Sequence, residues 1–330
     1  MIGHAMHRRS LLTLLAGASA AAWPLAARAQ QAAMPVVGVL SGASAGTHVT
    51  PEFRQGLSLA GYVEGRNVSF EYQWANGQYD RLPALAAELL RRRVNMIVAT
   101  NLQSSLAAKA ATFTVPVVFS IGANPVVAGL VASLNRPGGN LTGVTSMNGE
   151  LGGKRLQLLH ESVPAGTVMA ALVNPTDGFA ENLTRDLQTA AHALGRELHV
   201  LHVSTERDFD TVFAFLRDRR AGALVIEPDG FLNNQPERHA AELLRLGVPT
   251  ISTRREFAGA GGLMSYVPSS AETQRTAGIY AGRVLKGDKP ADLPVQQVTK
   301  IELIINMKTA KALGITFPTA ILVRADEVIE

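Results

Sequence analysis

The sequence predicts an α/β protein built of two doubly wound, Rossmann-like lobes that are joined by a multi-strand hinge. Short, continuous apolar runs such as Val36–Leu40 are typical of strands buried on both faces of a parallel sheet. These runs alternate with helical patterns, and the alternation restarts midway along the chain without an alignable repeat. A chain of 330 residues, of which 47% are hydrophobic, is long enough to form two such cores.

The first series of elements predicts strands that are followed by helical or loop segments. A helix is expected around Pro51–Ala60, and a leucine stripe that begins at Leu82 predicts a second helix opened by Asp80. The strands predicted in this series are Val36–Leu40, Val68–Trp74, Met96–Ala99, Val117–Ser120 and Leu141–Thr145.

The second series repeats the same alternation. An apolar stripe that starts at Phe209 has the spacing of a helix lying on a sheet, and Thr205 with Asp208 can cap its start. A last long helix opens at Ser269 and ends at Gly287. The strands predicted here are Val168–Val173, Leu198–Val203, Ala223–Ile226, Pro249–Ser252 and Leu263–Tyr266.

The chain is expected to cross between the lobes more than once, because a helix and a strand remain after the second series is complete. The crossings are predicted near Ser146–Gly153, near Tyr266 and near Val295–Ile301. Residues 34–147 and 268–298 would then form the N-terminal lobe, and residues 148–267 and 299–330 the C-terminal lobe. A hinge between two similar lobes is the architecture of a ligand clamp.

The N-terminus has the three parts of an export signal peptide, residues 1–29. A basic start with Arg8 and Arg9 precedes the apolar run Leu11–Ala22, and Ala27-Arg28-Ala29 has the form of a signal peptidase site. The paired arginines suggest the twin-arginine route, and Met6 is an alternative start. We therefore expect a periplasmic protein.

Composition excludes several classes of function. Most of the net charge of +4 comes from the three arginines of the leader, so no nucleic-acid partner is expected. The absence of cysteine excludes disulfides, thiolate catalysis and cysteine-based zinc sites. His199 and His202 stand three apart on a predicted strand and face opposite sides. We expect neither a metal nor a cofactor.

One segment resembles a catalytic motif. Gly42-Ala43-Ser44-Ala45-Gly46 fits G-x-S-x-G, the nucleophile elbow of serine hydrolases, and it follows a predicted strand. That strand is the first of its sheet, however, with no upstream strand to hold an oxyanion loop. Small residues here also let the chain turn close to a bound group. No other enzyme motif is present, so binding without chemistry is the main expectation.

Polar loops recur at the carboxyl ends of the predicted strands, where open α/β sheets bind ligands. Hydroxyls, amides and helix N-termini of the first lobe suit a carboxylate, while Asp229 suits an ammonium group. Each serine or threonine also fits a role in helix capping or turn formation. The candidate ligand-binding residues are Ser41, Ser44, Thr100, Gln103, Ser104, Ser120, Asn124, Thr145, Asn174, Asp229 and Arg254.

Several stretches together resemble a known family over nearly the whole chain after the leader. They are Gly61–Val68 (GYVEGRNV), Gln78–Pro83 (QYDRLP), Leu134–Thr145 (LNRPGGNLTGVT), Ala260–Tyr266 (AGGLMSY) and Val284–Val295 (VLKGDKPADLPV). The chain is similar to the substrate-binding proteins of ABC transporters of the tryptophan/tyrosine type. The resemblance implies a type I periplasmic-binding-protein fold and delivery of a ligand to a membrane permease. Asn124-Pro125 departs from the Asp-Pro that is frequent in the family.

The leading hypothesis is a monomeric periplasmic protein that captures a small organic solute and delivers it to an ABC permease in the inner membrane. The candidate solute classes are amino acids and organic acids. Two alternatives remain open from the sequence: a periplasmic serine hydrolase that uses Ser44, and the ligand-binding subunit of a membrane sensor.

Overall fold

Two β-sheets, each covered by helices on both faces, organise the residues from Val36 to Glu330. The computed structural model describes residues 34–43, 49–218, 222–229, 231–233 and 235–330. The predicted leader, residues 1–29, and Ser44 lie outside the described residues. The two sheets confirm the predicted α/β fold class.

Thirteen strands are present in the described part of the chain. They are β1 (Val36–Ser41), β2 (Ser69–Trp74), β3 (Met96–Ala99), β4 (Val117–Ile121), β5 (Leu141–Thr145), β6 (Met169–Val173), β7 (Leu198–His202), β8 (Ala223–Ile226), β9 (Thr250–Ser252), β10 (Met264–Pro268), β11 (Gln296–Gln297), β12 (Ile301–Asn306) and β13 (Glu327–Ile329).

The helices connect and cover these strands. They are α1 (Pro51–Leu59), α2 (Leu82–Arg91), α3 (Leu102–Ala111), α4 (Gly152–Ser162), α5 (Ala180–Ala193), α6 (Glu206–Asp218), α7 (Pro236–Arg245), α8 (Arg255–Gly259), α9 (Ser270–Leu285), α10 (Met307–Ala312) and α11 (Thr319–Leu322). Three short 3-10 turns accompany them at Tyr79–Arg81, Asn148–Leu151 and Pro290–Asp292.

The first sheet has the strand order β11-β5-β4-β3-β1-β2, and all its pairs are parallel. The second sheet has the order β13-β12-β10-β9-β8-β6-β7 and is parallel except for the pair β10–β12. Successive side chains of a strand point to opposite faces, so each sheet supplies two cores. In the first sheet, α2 and α3 cover one face and α1 and α9 the other. In the second sheet, α4, α5, α10 and α11 cover one face and α6, α7 and α8 the other.

The chain passes between the two sheets three times. It leaves the first sheet after β5, returns to it after β10 through α9, and leaves it again after β11. The middle passage is held by close packing of α9 against α1. A methyl group added to Gly278 would lie 2.8 Å from the backbone nitrogen of Leu57 and would overlap the carbonyl oxygen of Phe53. The two helix backbones therefore touch where a larger residue would separate them.

Most predicted elements are present within a few residues of their predicted ends. The strands predicted at Met96–Ala99, Leu141–Thr145 and Ala223–Ile226 have those bounds in the structure. The prediction that Asp80 opens a helix is wrong, because a 3-10 turn precedes α2, which begins at Leu82. The cap predicted for α6 is confirmed in part, since the Asp208 carboxylate accepts the Thr205 backbone N–H at 2.8 Å.

Among the described residues, no helix combines the length and the apolar character that a membrane crossing requires.

Changing Gly278 to Ala should lower the free energy of unfolding by roughly 1–3 kcal/mol, because the added methyl forces α9 away from α1. Urea denaturation measures the loss. Gly259→Ala is the matched control, since its added methyl has no atom within 4 Å, and a change within about 0.5 kcal/mol is expected there. Equal effects of the two substitutions would contradict the close packing of these helices.

Candidate ligand-binding cleft

The carboxyl ends of the parallel strands of both sheets open into one cavity with a volume of about 480 Å³. Small-molecule sites have volumes of about 300–1,000 Å³. The first-sheet side supplies the segments that follow β2, β3 and β4, and the second-sheet side those that follow β6, β8 and β9. The residues that line the cavity are Tyr79, Asn101, Leu102, Gln103, Gly122, Ala123, Asn124, Val127, Asn148, Gly149, Glu150, Asp177, Phe179, Asn182, Leu183, Arg185, Asp186, Pro228, Asp229, Asn233, Thr253 and Arg254.

The first-sheet wall of the cavity contains no charged side chain among the lining residues from Tyr79 to Val127. The start of α3 lies in this wall. Asn101 caps the helix: its Oδ1 accepts the Ser104 backbone N–H at 2.9 Å, and its own backbone N–H donates to Ser104 Oγ at 3.1 Å. Leu102 and Gln103, in the first turn, border the cavity. The free N–H groups of a first helical turn favour an anionic group such as a carboxylate.

The second-sheet wall presents the carboxylates of Asp177 and Asp229 on its loops, and Arg185, Asp186 and Arg254 also line this wall. Asp177 Oδ1 accepts the Phe179 backbone N–H at 2.8 Å. Asp229 Oδ1 accepts the Phe231 and Leu232 backbone N–H groups, both at 2.9 Å. Neither carboxylate forms a salt bridge to a residue that the structure describes. These turns fix the two acids in place but leave their charge without a cationic partner.

The electrostatics of this wall follow from burial and from the proximity of the two acids. Burial raises the pKa of Asp177, the bond from Phe179 opposes that shift, and the charge of Asp229 adds to it. Tyr79, on the opposite wall, also has a raised pKa, first because of burial and then because of the charges of Asp229 and Asp177. Tyr79, Asp177 and Asp229 all line the same cavity.

The chain segment that leaves the first sheet after β5 also borders the cavity, through Asn148, Gly149 and Glu150. Asn124, from the first-sheet wall, donates through Nδ2 to Glu150 Oε1 at 3.2 Å. This bond links the loop after β4 to the crossing segment. It also occupies the side-chain amide of Asn124.

Arg155 of α4 is fully buried and binds three separate parts of the chain. Its Nε donates to the Tyr266 carbonyl oxygen at 3.1 Å, and a terminal nitrogen donates to the Asn148 carbonyl oxygen at 3.0 Å and also to Asn148 Oδ1. The other terminal nitrogen lies 3.4 Å from Glu227 Oε2. Arg155 thus holds the first crossing segment against β10 and against the end of β8.

Glu227, the partner of Arg155, is also buried, with 1% of its side chain exposed. Burial raises the pKa of Glu227, and the Arg155 charge opposes that shift. Glu227 Oε1 has no hydrogen-bond partner among the described residues. A buried ion pair of this kind destabilises the fold strongly when only one partner is removed.

Four of the predicted ligand-binding residues line the cavity: Gln103, Asn124, Asp229 and Arg254. Arg254 lies at the exposed rim, with its Nε 3.4 Å from Glu256 Oε2. The sequence therefore placed candidates on both walls.

Six other predicted residues lie behind the cavity walls, and several of them support those walls. Ser104 completes the α3 cap, Thr145 Oγ1 donates to the Ala123 carbonyl oxygen at 2.8 Å, and Asn174 Nδ2 donates to Asp229 Oδ2 at 3.2 Å. The six residues are Ser41, Thr100, Ser104, Ser120, Thr145 and Asn174. Ser44 lies outside the described residues.

Several lining residues have no signal in the local sequence that marks them as part of a site. Asn182, Arg185 and Asp186 belong to α5, whose pattern predicts only an amphipathic helix. Tyr79 stands in the stretch Gln78–Pro83, which carries the family resemblance but does not suggest a role for the ring. No group of three or more His, Asp or Glu side chains within the described residues is arranged to hold a metal ion.

Replacing Arg155 with Met should lower the free energy of unfolding by about 3–5 kcal/mol, because the Glu227 carboxylate is left buried without its partner. Urea denaturation measures this loss. Lys154→Met, the neighbouring position in α4, is the control and should cost less than about 1 kcal/mol. The double variant R155M/E227L should be more stable than R155M alone. A double variant with the summed losses of R155M and E227L would contradict the coupling.

The chain matches the family described as ABC transporter substrate binding protein over residues 30–329. A tyrosine-binding protein of Clostridioides difficile is 24% identical over 261 residues, which cover 79% of this chain and 75% of that protein.

Solved structures share the fold. The ABC domain from Streptococcus pneumoniae in complex with L-Trp superposes with a TM-score of 0.80 at 23% identity, covering 89% of this chain and 99% of that one. The ligand-free, open structure of a substrate-binding protein with adhesive properties from Clostridium difficile has a TM-score of 0.67 at 20% identity, with the same coverage. These matches confirm the predicted type I periplasmic-binding-protein fold, and the chain belongs to the ABC transporter substrate binding protein family.

Proposed function

We propose that this substrate-binding protein captures an amino acid in the cleft and delivers it to an ABC permease in the inner membrane. The signal peptide, residues 1–29, would export the protein to the periplasm, where it acts as a monomer. Residues 34–147 with 268–298 and residues 148–267 with 299–330 would be the two lobes that close on the solute. The solute leaves chemically unchanged.

This proposal rests on the difference in charge between the two cavity walls: the first-sheet wall is uncharged from Tyr79 to Val127, and the second-sheet wall carries Asp177 and Asp229. An ammonium group placed beside Asp177 and Asp229 would supply the positive charge that both carboxylates lack. The α-carboxylate of the same solute would then face the uncharged wall and the first turn of α3. A zwitterion satisfies both walls at once. An organic acid without an amino group would leave Asp177 and Asp229 without a cationic partner.

Apolar residues at the cavity surface favour an amino acid with an apolar side chain. Phe179, Leu183 and Val127 line the cavity alongside the polar groups. The tyrosine-binding relative and the protein solved with L-Trp support the same solute class. Since the first-sheet wall has the neutral Asn124 and no acid among its lining residues, Asp177 and Asp229 would make the contact with the ammonium group.

The serine hydrolase hypothesis receives no support from the family match. Among the described residues of the cavity there is no histidine that could activate a serine. The cleft offers amides, carboxylates and a helix N-terminus, which are groups that bind and orient a solute.

Isothermal titration with L-tyrosine and L-tryptophan tests the solute class. We expect one or both to bind, and we expect the matching acid without the amino group, 3-(4-hydroxyphenyl)propionate, to bind at least about tenfold more weakly. If the acid without the amino group bound as tightly as the amino acid, the proposed ammonium contact would be excluded.

Asp229→Asn should weaken binding of the same amino acid by about tenfold to a hundredfold, because a charge-assisted hydrogen bond becomes a neutral one. Asp218→Asn is the matched control, since Asp218 is exposed at the end of α6 and outside the cavity. The control should bind like the wild type. Equal affinities of D229N and D218N would remove Asp229 from the site.

A further inference from the structure

Gly42, the first residue after β1, borders two residues that line the cavity. A methyl group built on Gly42 would overlap Asn101 Nδ2 and would lie 2.7 Å from Tyr79 Cε1 and 3.2 Å from Tyr79 Cδ1. The space that a side chain would occupy at position 42 is therefore filled by the Asn101 amide and by the edge of the Tyr79 ring.

The backbone does not need a glycine at this position for its conformation. The φ angle of Gly42 lies outside the left-handed region, unlike those of Asn76 (53°) and Gly77 (82°). Any residue could adopt the Gly42 backbone, so the requirement is one of space. This observation gives a role to the first glycine of the G-x-S-x-G segment that does not involve a nucleophile.

Hydrogen bonds bring Tyr79 to Gly42. The turn after β2 runs beside the end of β1, with the Ala75 N–H donating to the Ser41 carbonyl oxygen at 2.9 Å and the Gly77 N–H donating to the Gly42 carbonyl oxygen at 2.8 Å. Asn76 and Gly77, which have left-handed backbone conformations, turn the chain here. Tyr79 follows two residues after Gly77. These bonds therefore fix the segment that carries Tyr79 relative to the end of β1.

The position of Asn101 is fixed from its other side. Its Oδ1 accepts the Ser104 N–H, so the orientation of the side-chain amide is set by the α3 cap, and Nδ2 points toward Gly42. The side chains of Tyr79 and Asn101 come from different loops and lie against the same glycine. The turn after β2 positions Tyr79, and the α3 cap positions Asn101.

We propose that Gly42 is a positioning residue of the cleft, which lets the Tyr79 ring and the Asn101 amide lie side by side as one wall facing Asp177 and Asp229. The contribution of this wall to affinity rests on the proposed amino-acid function. A side chain at position 42 would push the Tyr79 ring into the cavity and turn the Asn101 amide away from the start of α3.

Ring-labelled tyrosine NMR on the ligand-free protein tests the packing without any solute. The Tyr79 resonance is assigned by its loss in Tyr79→Phe. In Gly42→Ala we expect this resonance to shift, because the ring is displaced from its place beside position 42. The other four tyrosines should keep their resonances. An unchanged Tyr79 resonance in G42A would overturn the proposal.

Affinity supplies the second readout. For an amino acid that binds the wild type, G42A should weaken binding by about tenfold, while Gly259→Ala, with open space around its added methyl, should leave it unchanged. A shifted Tyr79 resonance with unchanged affinity would also overturn the positioning role. If no amino acid binds the wild type, the proposed function fails and the NMR result still decides the packing.

If G42A does not fold, the packing around Gly42 can be tested directly in the wild type. Nuclear Overhauser contacts from the Gly42 Hα protons to the Tyr79 ring and to the Asn101 side-chain amide are expected in the ligand-free protein. Their absence would show that the glycine does not seat these two groups and would overturn the proposal.

Discussion

The buried guanidinium of Arg155 holds together the parts of the chain that frame the cleft. It binds Asn148 on the segment leaving the first sheet, Tyr266 on the strand that precedes the return, and Glu227 two residues before Asp229. A planar guanidinium can donate in three directions from one place, which a lysine ammonium on a flexible stem does less well. Since a buried charge is tolerated only when it is paired and hydrogen-bonded, these three segments cannot separate from α4 without a large cost.

In the cleft, some residues face the cavity, and other residues behind them hold these side chains in place. Ser104 sets the Asn101 amide and Asn174 bonds the Asp229 carboxylate, although neither of the supporting side chains lines the cavity. The result is one wall of amides with a helix N-terminus and an opposite wall on which Asp177 and Asp229 lack salt-bridge partners in the described part of the chain. Such walls are complementary to a solute that carries groups of opposite charge.

The strands could be predicted from the sequence because strands buried on both faces are continuous apolar runs, as at Met96–Ala99 and Ala223–Ile226. The rule that ligands bind at the carboxyl ends of parallel strands also indicated loops that line the cavity. Which side chain of a loop faces the cavity depends on tertiary contacts. Ser104 turns inward to cap α3, and Tyr79 reaches the cavity only because its turn pairs with the end of β1. Helix capping was one of the two roles that the sequence left open for Ser104, whereas no local pattern encodes the position of Tyr79.

Small-angle X-ray scattering with and without a saturating amino acid tests most directly whether this molecule works by closing around its solute. Closure of the two lobes predicts a smaller radius of gyration with the bound amino acid, and Asp229→Asn should need a higher amino-acid concentration to reach the same decrease. A scattering profile that stays the same when calorimetry shows the site to be occupied would contradict capture by closure.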